Sequence, residues 1–253
     1  MGGLVELVKK PVFFLIFFGT VGGLYALDIS LSAGGGPFFG YTFTRYTLEG
    51  TDSSGEAVQS VQSMDRFDLG GFIFLDAAYG EASVSLQSGS GGYRETMDID
   101  SQSLSDDRGM QYETLLGLSL MGKYPITLNE RWSLFPMLGA EYLIALIERR
   151  QPDGGMVVDR TSGTLASDMD KDEKAYPLSA WNALLVMIGV GADYTFTRYI
   201  FLRGDFSYGF RLQTEYESGA LEMVKTKFNI PSPRFYGLTS GPSLRVALGY
   251  RFL

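Results

Sequence analysis

Histidine and cysteine, the side chains most often used as catalytic base and thiol nucleophile, do not occur in this chain of 253 residues. Without histidine there is no base for a Ser-His-Asp triad and no imidazole metal ligand. Without cysteine there is no thiol nucleophile and no zinc cluster. The adjacent acids Asp106 and Asp107 are expected in a loop, where adjacency alone gives no catalytic geometry. The sequence therefore predicts a protein that is not an enzyme, with no catalytic residue and no cofactor.

One acidic segment, SDMDKDE, has the alternating carboxylates that can ligate calcium. Its acids include Asp168, Asp170 and Asp172. The EF-hand pattern is not met, because Glu173 replaces the turn glycine and Ser179 replaces the bidentate glutamate. We interpret the segment as a solvated acidic loop and predict no metal site. The alternative is weak bridging of divalent cations to anionic lipid headgroups.

The last eleven residues, SLRVALGYRFL, show a strict two-residue alternation. This period places alternate side chains on opposite faces of a β-strand. Arg245 and Arg251 fall on one face. The other face is entirely apolar or aromatic and consists of Leu244, Val246, Leu248, Tyr250 and Phe252. The pattern predicts a strand of a membrane barrel, with its apolar face toward lipid and its polar face toward the lumen.

The same alternation predicts seven further strands. Residues 199–216 show it most clearly, over a length well beyond the about five or six residues of a typical globular strand. The run Gly34–Pro37 suggests a bulge or bend. The strand at 131–148 is ambiguous, because its inward set includes Phe135 and Ile147. The seven segments lie at about 27–47, 64–76, 79–93, 111–125, 131–148, 179–196 and 199–216.

The connections between these strands alternate in length. Short ones lie around 76–78, 127–130 and 197–198. Long, polar ones are predicted at 48–63, 94–110, 149–178 and 218–240. Short turns at one end and long loops at the other are typical of bacterial outer-membrane barrels, whose long loops face outside. The predicted fold of residues 27–253 is therefore all-β, an eight-stranded antiparallel up-and-down transmembrane β-barrel.

The first 26 residues have the pattern of a secretory signal peptide. Lys9 and Lys10 precede an apolar run over Pro11–Ala26, and a small residue ends it, as at a cleavage site. We predict a signal peptide over 1–26. A membrane anchor is the alternative, although the run is short and is interrupted by glycines.

The inward positions of the predicted strands carry equal numbers of acids and bases. An eight-stranded barrel is just wide enough inside for side chains to fill it. Charges in so narrow a space are expected to pair, because an unpaired buried charge is costly. We predict a salt-bridge network that fills the lumen, with a gated narrow conduit as the alternative. The predicted lumen charges are Arg66, Asp68, Glu113, Lys123, Glu141, Asp193, Arg203, Asp205, Arg211, Glu215, Arg245 and Arg251.

The net charge excludes one class of partner. Removal of residues 1–26 would leave 28 acidic and 19 basic residues, a net charge of −9. Nucleic acids require a basic surface, so we expect no nucleic-acid binding. Exposed aromatic residues are expected to form girdles at the headgroup level, among them Tyr112, Tyr124, Trp132, Tyr142, Tyr208 and Tyr250.

The C-terminal residues Gly249, Tyr250 and Phe252 resemble the signal that outer-membrane proteins present to the barrel-insertion machinery. Here Leu253 follows the aromatic residue on which such chains usually stop. Residues 27–253 resemble the small outer-membrane barrels of the OmpX, OmpA-barrel and OmpW type. The resemblance implies an outer-membrane location in a diderm bacterium, with membrane lipids, the insertion machinery and periplasmic chaperones as partners. Acyltransferase, deacylase and omptin-protease barrels share this architecture but rely on histidine.

Fold does not determine function, and the sequence allows three functional hypotheses. The first is a non-enzymatic surface barrel whose acidic loops support membrane integrity or bind host or other external partners. The second is an OmpW-like narrow conduit for small, hydrophobic solutes. The third is a soluble, lipocalin-like periplasmic carrier. A lateral opening near Pro136 or Gly34–Pro37 would favour the conduit, whereas a continuous network of inner charges would favour the first.

Overall fold

The strands of this protein are long and follow one another with few intervening elements. The computed structural model describes residues 31–51, 55–77, 79–99, 102–153, 158–161, 182–213 and 234–252. The predicted signal peptide at 1–26, the acidic segment around Asp168 and the predicted lumen residue Glu215 lie outside these residues. The strands are β1 (Leu31–Thr51), β2 (Ala57–Ala77), β3 (Gly80–Ile99), β4 (Gln102–Lys123), β5 (Ile126–Thr127), β6 (Trp132–Pro152), β7 (Val158–Thr161), β8 (Ala183–Thr195), β9 (Ile200–Gln213) and β10 (Arg234–Phe252).

Eight of these strands pair into a closed ring. All neighbours are antiparallel, and the order around the ring is β1, β2, β3, β4, β6, β8, β9 and β10, with β10 pairing again with β1. The short strands β5 and β7 both pair with β6. No helix in the described part of the chain is long and apolar enough to span a membrane. The prediction of an eight-stranded antiparallel up-and-down transmembrane β-barrel is confirmed.

Side chains alternate between the outer surface and the lumen, as the sequence pattern predicted. On β9, Phe206 is 49% exposed, whereas its neighbour Asp205 is 2% exposed. On β2, the outward residues from Phe67 to Leu75 are apolar apart from one glycine, and Ile73 is 66% exposed. An exposed apolar band around a ring with no free edge is the arrangement that a lipid bilayer requires, because all backbone groups can pair within the sheet.

The two ends of the barrel differ. At one end, here the turn end, the connections at 78–79, 124–131 and 196–199 are short. This end carries a girdle of exposed or half-exposed aromatic residues, with ring contacts that include Trp132 with Tyr194 at 4.9 Å and Tyr199 with Tyr250 at 5.7 Å. The opposite end, here the loop end, carries the other four connections.

Strands occupy much of what the sequence analysis predicted as loops. β2 already begins at Ala57, inside 48–63, and only residues 100–101 separate β3 from β4, inside 94–110. Likewise, β6 and β7 enter 149–178, and β10 enters 218–240. Six of the ring strands have 19 to 22 residues, and about nine to eleven suffice to cross a bilayer. The polar ends of these strands therefore continue the sheet beyond the apolar band, which corrects the predicted loop boundaries.

A bulge explains one of the two exceptions in the strand at 131–148, Ile147, whereas Phe135 does point inward and is 1% exposed. Thr114 pairs with Ile147, but Leu115 pairs with Ala145, so Leu146 is an extra residue in β6. A bulge reverses the alternation that follows it. Ile147, predicted inward, is 44% exposed. Leu146, predicted outward, is the extra residue of the bulge and is half-buried.

The bulge expected at Gly34–Pro37 does not occur. The register of β1 with β2 runs without interruption through these residues, and the register with β10 is the same on both sides of them. The glycines instead allow close approach between strands. A Cβ atom on Gly34 would lie 2.7 Å from a ring carbon of Phe74, so only glycine fits there.

Candidate functional site

Arg203 lies at the centre of a buried group of charges near the turn end. It is 1% exposed and projects from β9 into the lumen. Its Nε and Nη2 atoms donate to the two carboxylate oxygens of Asp193 at 2.8 and 2.9 Å. Nη1 donates to Glu81 Oε2 at 2.7 Å, and Nη2 donates to Asp76 Oδ2 at 2.7 Å. One guanidinium thus joins β9 to β8, β3 and β2.

Two further cations complete this group. Arg245 on β10 donates to Asp205 Oδ1 at 2.7 Å and to Glu81 Oε1 at 2.9 Å. Lys123 on β4 forms an ion pair with Asp76. Shared acids therefore link all three cations into one network. We call it the Arg203 cluster, and it consists of Asp76, Glu81, Lys123, Asp193, Arg203, Asp205 and Arg245.

Aromatic rings fill the space around the Arg203 cluster. The Arg203 guanidinium carbon lies 4.7 Å from the ring centre of Phe74, 4.9 Å from that of Phe135 and 5.2 Å from that of Phe201. Cations at such distances are attracted to the faces of aromatic rings. The rings also exclude water from the ion pairs, which strengthens their electrostatic interaction. Charges and rings together close the lumen at the turn end.

A second group of charges lies nearer the loop end. Arg66 donates to Asp68 Oδ1 at 2.7 Å and also pairs with Glu113. Gln111 hydrogen-bonds to Glu113 and, at 3.4 Å, to Glu148. Thus β2, β4 and β6 are linked through buried polar groups. We call this the Arg66 cluster, made of Arg66, Asp68, Gln111, Glu113 and Glu148.

Two of the small cavities between the buried lumen side chains of the described residues adjoin charged groups. One has a volume of about 10 Å³ and is lined by serine hydroxyls and by Glu141, which is room for about one water molecule. The other, of about 50 Å³, lies beside Arg66 and Arg211 toward the loop end. Neither volume can hold a drug-sized solute, which needs about 300 Å³ or more.

The structure places the predicted lumen residues as follows. Arg211, half-buried, donates to the hydroxyl of buried Tyr46 and, at 3.2 Å, to the Asn182 carbonyl. Arg251, also half-buried, lies 5.0 Å from the Phe201 ring centre. Nine others are buried and divide between the two clusters, apart from Glu141 in the serine-lined cavity. These nine are Arg66, Asp68, Glu113, Lys123, Glu141, Asp193, Arg203, Asp205 and Arg245.

Sequence reasoning missed three buried acids. Asp76 continues the inward alternation of β2, but the prediction assigned it to a turn. Glu81 points inward from β3, whereas its neighbour Ala82, which was predicted outward, points to the other face. The alternation could therefore have identified Glu81. Glu148 is 2% exposed because the bulge at Leu146 reverses the register, and no signal in the sequence marks that bulge.

The residues of the proposed insertion signal have distinct places in the last strand. Tyr250 and Phe252 point outward into the aromatic girdle, with ring centres 5.5 Å apart. Gly249 points inward, where a Cβ atom would overlap the ring of Phe201. That ring in turn lies against Arg203 and Arg251. The glycine therefore makes room for the ring that seals the turn end.

The acid pair Asp106–Asp107 lies in β4 beyond the apolar band, not in a loop. The two side chains point to opposite faces of the strand, because Asp107 accepts from the hydroxyl of inward Tyr93 at 3.3 Å. Asp106 accepts two hydrogen bonds each from exposed Arg94 and Arg108, at 2.6 to 3.1 Å. These bonds hold the pKa of Asp106 well below its usual range. Within the described residues, no group of three or more acidic side chains could hold a metal ion.

We expect Asp106 to remain ionised in acid. A lowered pKa in the folded state means that the contribution of this carboxylate to stability is present above its usual pKa, about 3.9. That contribution is lost only as the pH falls through the lowered pKa. Carbon-13 titration of the carboxyl should show no midpoint near the usual value. Replacing both Arg94 and Arg108 by glutamine should return the midpoint toward it, and an unchanged midpoint would contradict this account.

Comparison with solved structures finds small outer-membrane barrels. No family model matches the chain, and no curated protein does. The outer membrane protease OmpT from Escherichia coli is similar at 10% identity and TM-score 0.40, covering 90% of this chain and 99% of that one. The outer membrane protein OprG from Pseudomonas aeruginosa is similar at 10% identity and TM-score 0.36, covering 88% and 96%. Ail, the attachment invasion locus protein of Yersinia pestis, is similar at 11% identity and TM-score 0.30, covering 87% and 99%. These proteins belong to the class that the sequence resembles, and at such values they bear on no function of this chain.

Proposed function

We propose that this protein is a non-enzymatic, integral barrel of the outer membrane of a diderm bacterium. Its lumen is closed by ion pairs, and its acidic loops face outside, where they support membrane integrity or bind host or other external partners. The observation that carries the proposal is the Arg203 cluster. A closed and charged turn end leaves no aqueous route along the axis, so the functional surfaces are the outer wall and the loop end.

The outer wall supports the membrane location. Apolar side chains face outward on every ring strand, and many are strongly exposed, such as Leu248 at 59%. In water so large an apolar surface would cause association, whereas in a bilayer it contacts lipid. Outer-membrane lipids are therefore the first proposed partner. The girdle residues Tyr250 and Phe252, next to Gly249, support recognition by the insertion machinery and its periplasmic chaperones.

Ion conductance tests the proposal. We expect planar bilayers containing the unmodified protein to show very small or no steady current, because the Arg203 cluster fills the lumen. Arg203→Ala and Glu141→Ala, each measured separately, should either raise the current or reduce the stability of the barrel. Arg94→Ala changes a residue on the outer surface, so it should leave the current unchanged and cost little stability.

A large and stable current through the unmodified protein would overturn the proposal. The conduit alternative requires a side exit, since a charged lumen is a poor route for an apolar solute. In the structure Pro136 pairs with Val190, so the sheet is continuous at that predicted opening. Pro37 pairs with Gly71 of β2, but the pairing of β1 with β10 omits positions 36 and 37. A small current together with uptake of an apolar solute into liposomes would favour the conduit instead.

A further inference from the structure

The pairing of β1 with β10 lacks backbone pairs at two places, although its register does not shift there. We call this pairing, between β1 and β10, the seam. The chain has two Gly-Pro dipeptides, Gly36-Pro37 and Gly241-Pro242. One lies in β1 and the other in β10, so both fall in the seam. Proline has no amide hydrogen and cannot donate to a sheet ladder.

The amide that Pro37 lacks would have faced the seam. Pro37 and both its neighbours remain paired with β2, where Pro37 is opposite Gly71. On the other side, the register of β1 with β10 omits positions 36 and 37 and then resumes unchanged at Phe38. The position opposite Pro37 in this register is Val246. The Val246 carbonyl therefore has no backbone donor in the seam.

Pro242 produces the same defect from the opposite strand. It remains paired with Tyr208 of β9, within an uninterrupted register. The seam omits positions 41 and 42 of β1, which face Pro242 and Gly241, and resumes at Phe43. Here the carbonyl of Tyr41 is left without a backbone donor. The two defects are thus reciprocal, one carbonyl in each strand, and lie within one short stretch of the seam.

The glycine before each proline lies next to the carbonyl that has no backbone donor. A Cβ atom on Gly36 would overlap the Val246 oxygen, and one on Gly241 would overlap the Tyr41 oxygen. Each orphan carbonyl therefore lies against a glycine Cα, a contact much weaker than an N–H···O bond. Among the described residues, the other pairings of long ring strands are interrupted only where a bulge or irregularity shifts the register.

We infer that the barrel wall opens first along the seam, by separation of β1 from β10 between positions 36 and 42 of β1. The outward side chains of this stretch face lipid, and the side-chain hydrogen bond between Tyr46 and Thr239 crosses the seam outside it. The inward side chains of the stretch include Phe38 and Ser243. These two residues, with Arg245, also line the serine-lined cavity. Parting of the seam would join this cavity to the membrane from the side, while the Arg203 cluster keeps the turn end closed.

Amide hydrogen exchange in the unmodified protein gives an internal test. Because the Pro37 nitrogen faces the seam, odd-numbered amides of β1 face the seam and even-numbered amides face β2. In lipid nanodiscs, we expect the amides of Phe39 and Tyr41 to exchange at least about tenfold faster than those of Phe38 and Gly40, since local opening exposes them first. Equal rates for the two sets would overturn the inference.

Restoring the missing donors gives a second test. Pro37→Ala and Pro242→Ala should each slow exchange at Phe39 and Tyr41 toward the rates of the β2-facing amides. Pro136→Ala is the matched control, because it changes the unfolded chain similarly but lies outside the seam. Unchanged seam rates in both variants, or an equal slowing in the control, would contradict the inference. The comparison within unmodified β1 decides the question if a variant does not fold.

Because the chain has no cysteine, a cross-link gives a third test. Phe39 pairs with Leu244 across the seam and with Leu69 on β2. A disulfide between cysteines at 39 and 244 should suppress the fast exchange. A disulfide between cysteines at 39 and 69 should leave it unchanged, and an equal effect of both cross-links would contradict an opening located at the seam.

Discussion

Arg203→Ala is expected to lower the free energy of unfolding by about 3–5 kcal/mol, the usual cost of removing one partner from a buried ion pair. Asp193 would lose both hydrogen bonds from Arg203, and Asp76 and Glu81 would each lose one. The three phenylalanine rings around the guanidinium would also lose their cation. Urea unfolding from lipid vesicles, followed by tryptophan fluorescence, measures the change.

Two variants separate this effect from a general loss of charge. Arg94→Ala removes an arginine whose side chain is 53% exposed, so solvent screening leaves only a small loss. Asp193→Asn keeps Arg203 and its bonds to Asp76 and Glu81, and we expect a loss between the other two. If Arg203→Ala and Arg94→Ala were equally stable, the Arg203 cluster would not hold the barrel together.

Alternation along the strands, together with the lengths of the connections, was enough to predict the fold. A barrel strand has lipid on one side and lumen side chains on the other, so its two faces differ in polarity. The two-residue period of 199–216 and 243–253 needs no knowledge of the neighbouring strands. The same period separated buried Asp205 from exposed Phe206 before any pairing was known. Local physical chemistry therefore determines which face of each strand is inward.

The partners of the inward charges depend on the pairing register, which alternation does not specify. Arg203 contacts Glu81, which is 122 positions away in the chain, and Arg245 contacts the same acid across 164 positions. These contacts follow from the stagger of strands around a closed ring. The sequence indicated that such charges must pair, and only the three-dimensional arrangement shows that one acid serves two arginines.

Two local features also escaped prediction for physical reasons. The bulge at Leu146 has no marker, because leucine suits either face of a strand. The strand ends beyond the bilayer were predicted as loops. They carry polar residues on both faces, so apolar and polar residues do not alternate with a two-residue period there. Arg94 and Asp106 show why a sheet can persist there, since they pair on its outer surface.

Leu248→Arg is expected to destabilise the inserted barrel by about 2–4 kcal/mol, the cost of arginine on the lipid face near the bilayer midplane. Leu248 points outward from β10 and is 59% exposed. It lies four residues from Phe252 of the girdle, so an arginine there could reach the headgroups only by extending along the strand. Folding into lipid vesicles measures the loss.

Leu238→Arg is the matched control, since it makes the same change in the same strand. Leu238 is also exposed, at 53%, but it pairs with exposed Arg45, which already places a cation at that level of the wall. We therefore expect a loss of about 0–1 kcal/mol, as found near the membrane interface. Equal losses for the two variants would show that residue 248 does not face the hydrocarbon. The depth of the barrel in the membrane would then have to be reassigned, because the apolar band would no longer mark its position.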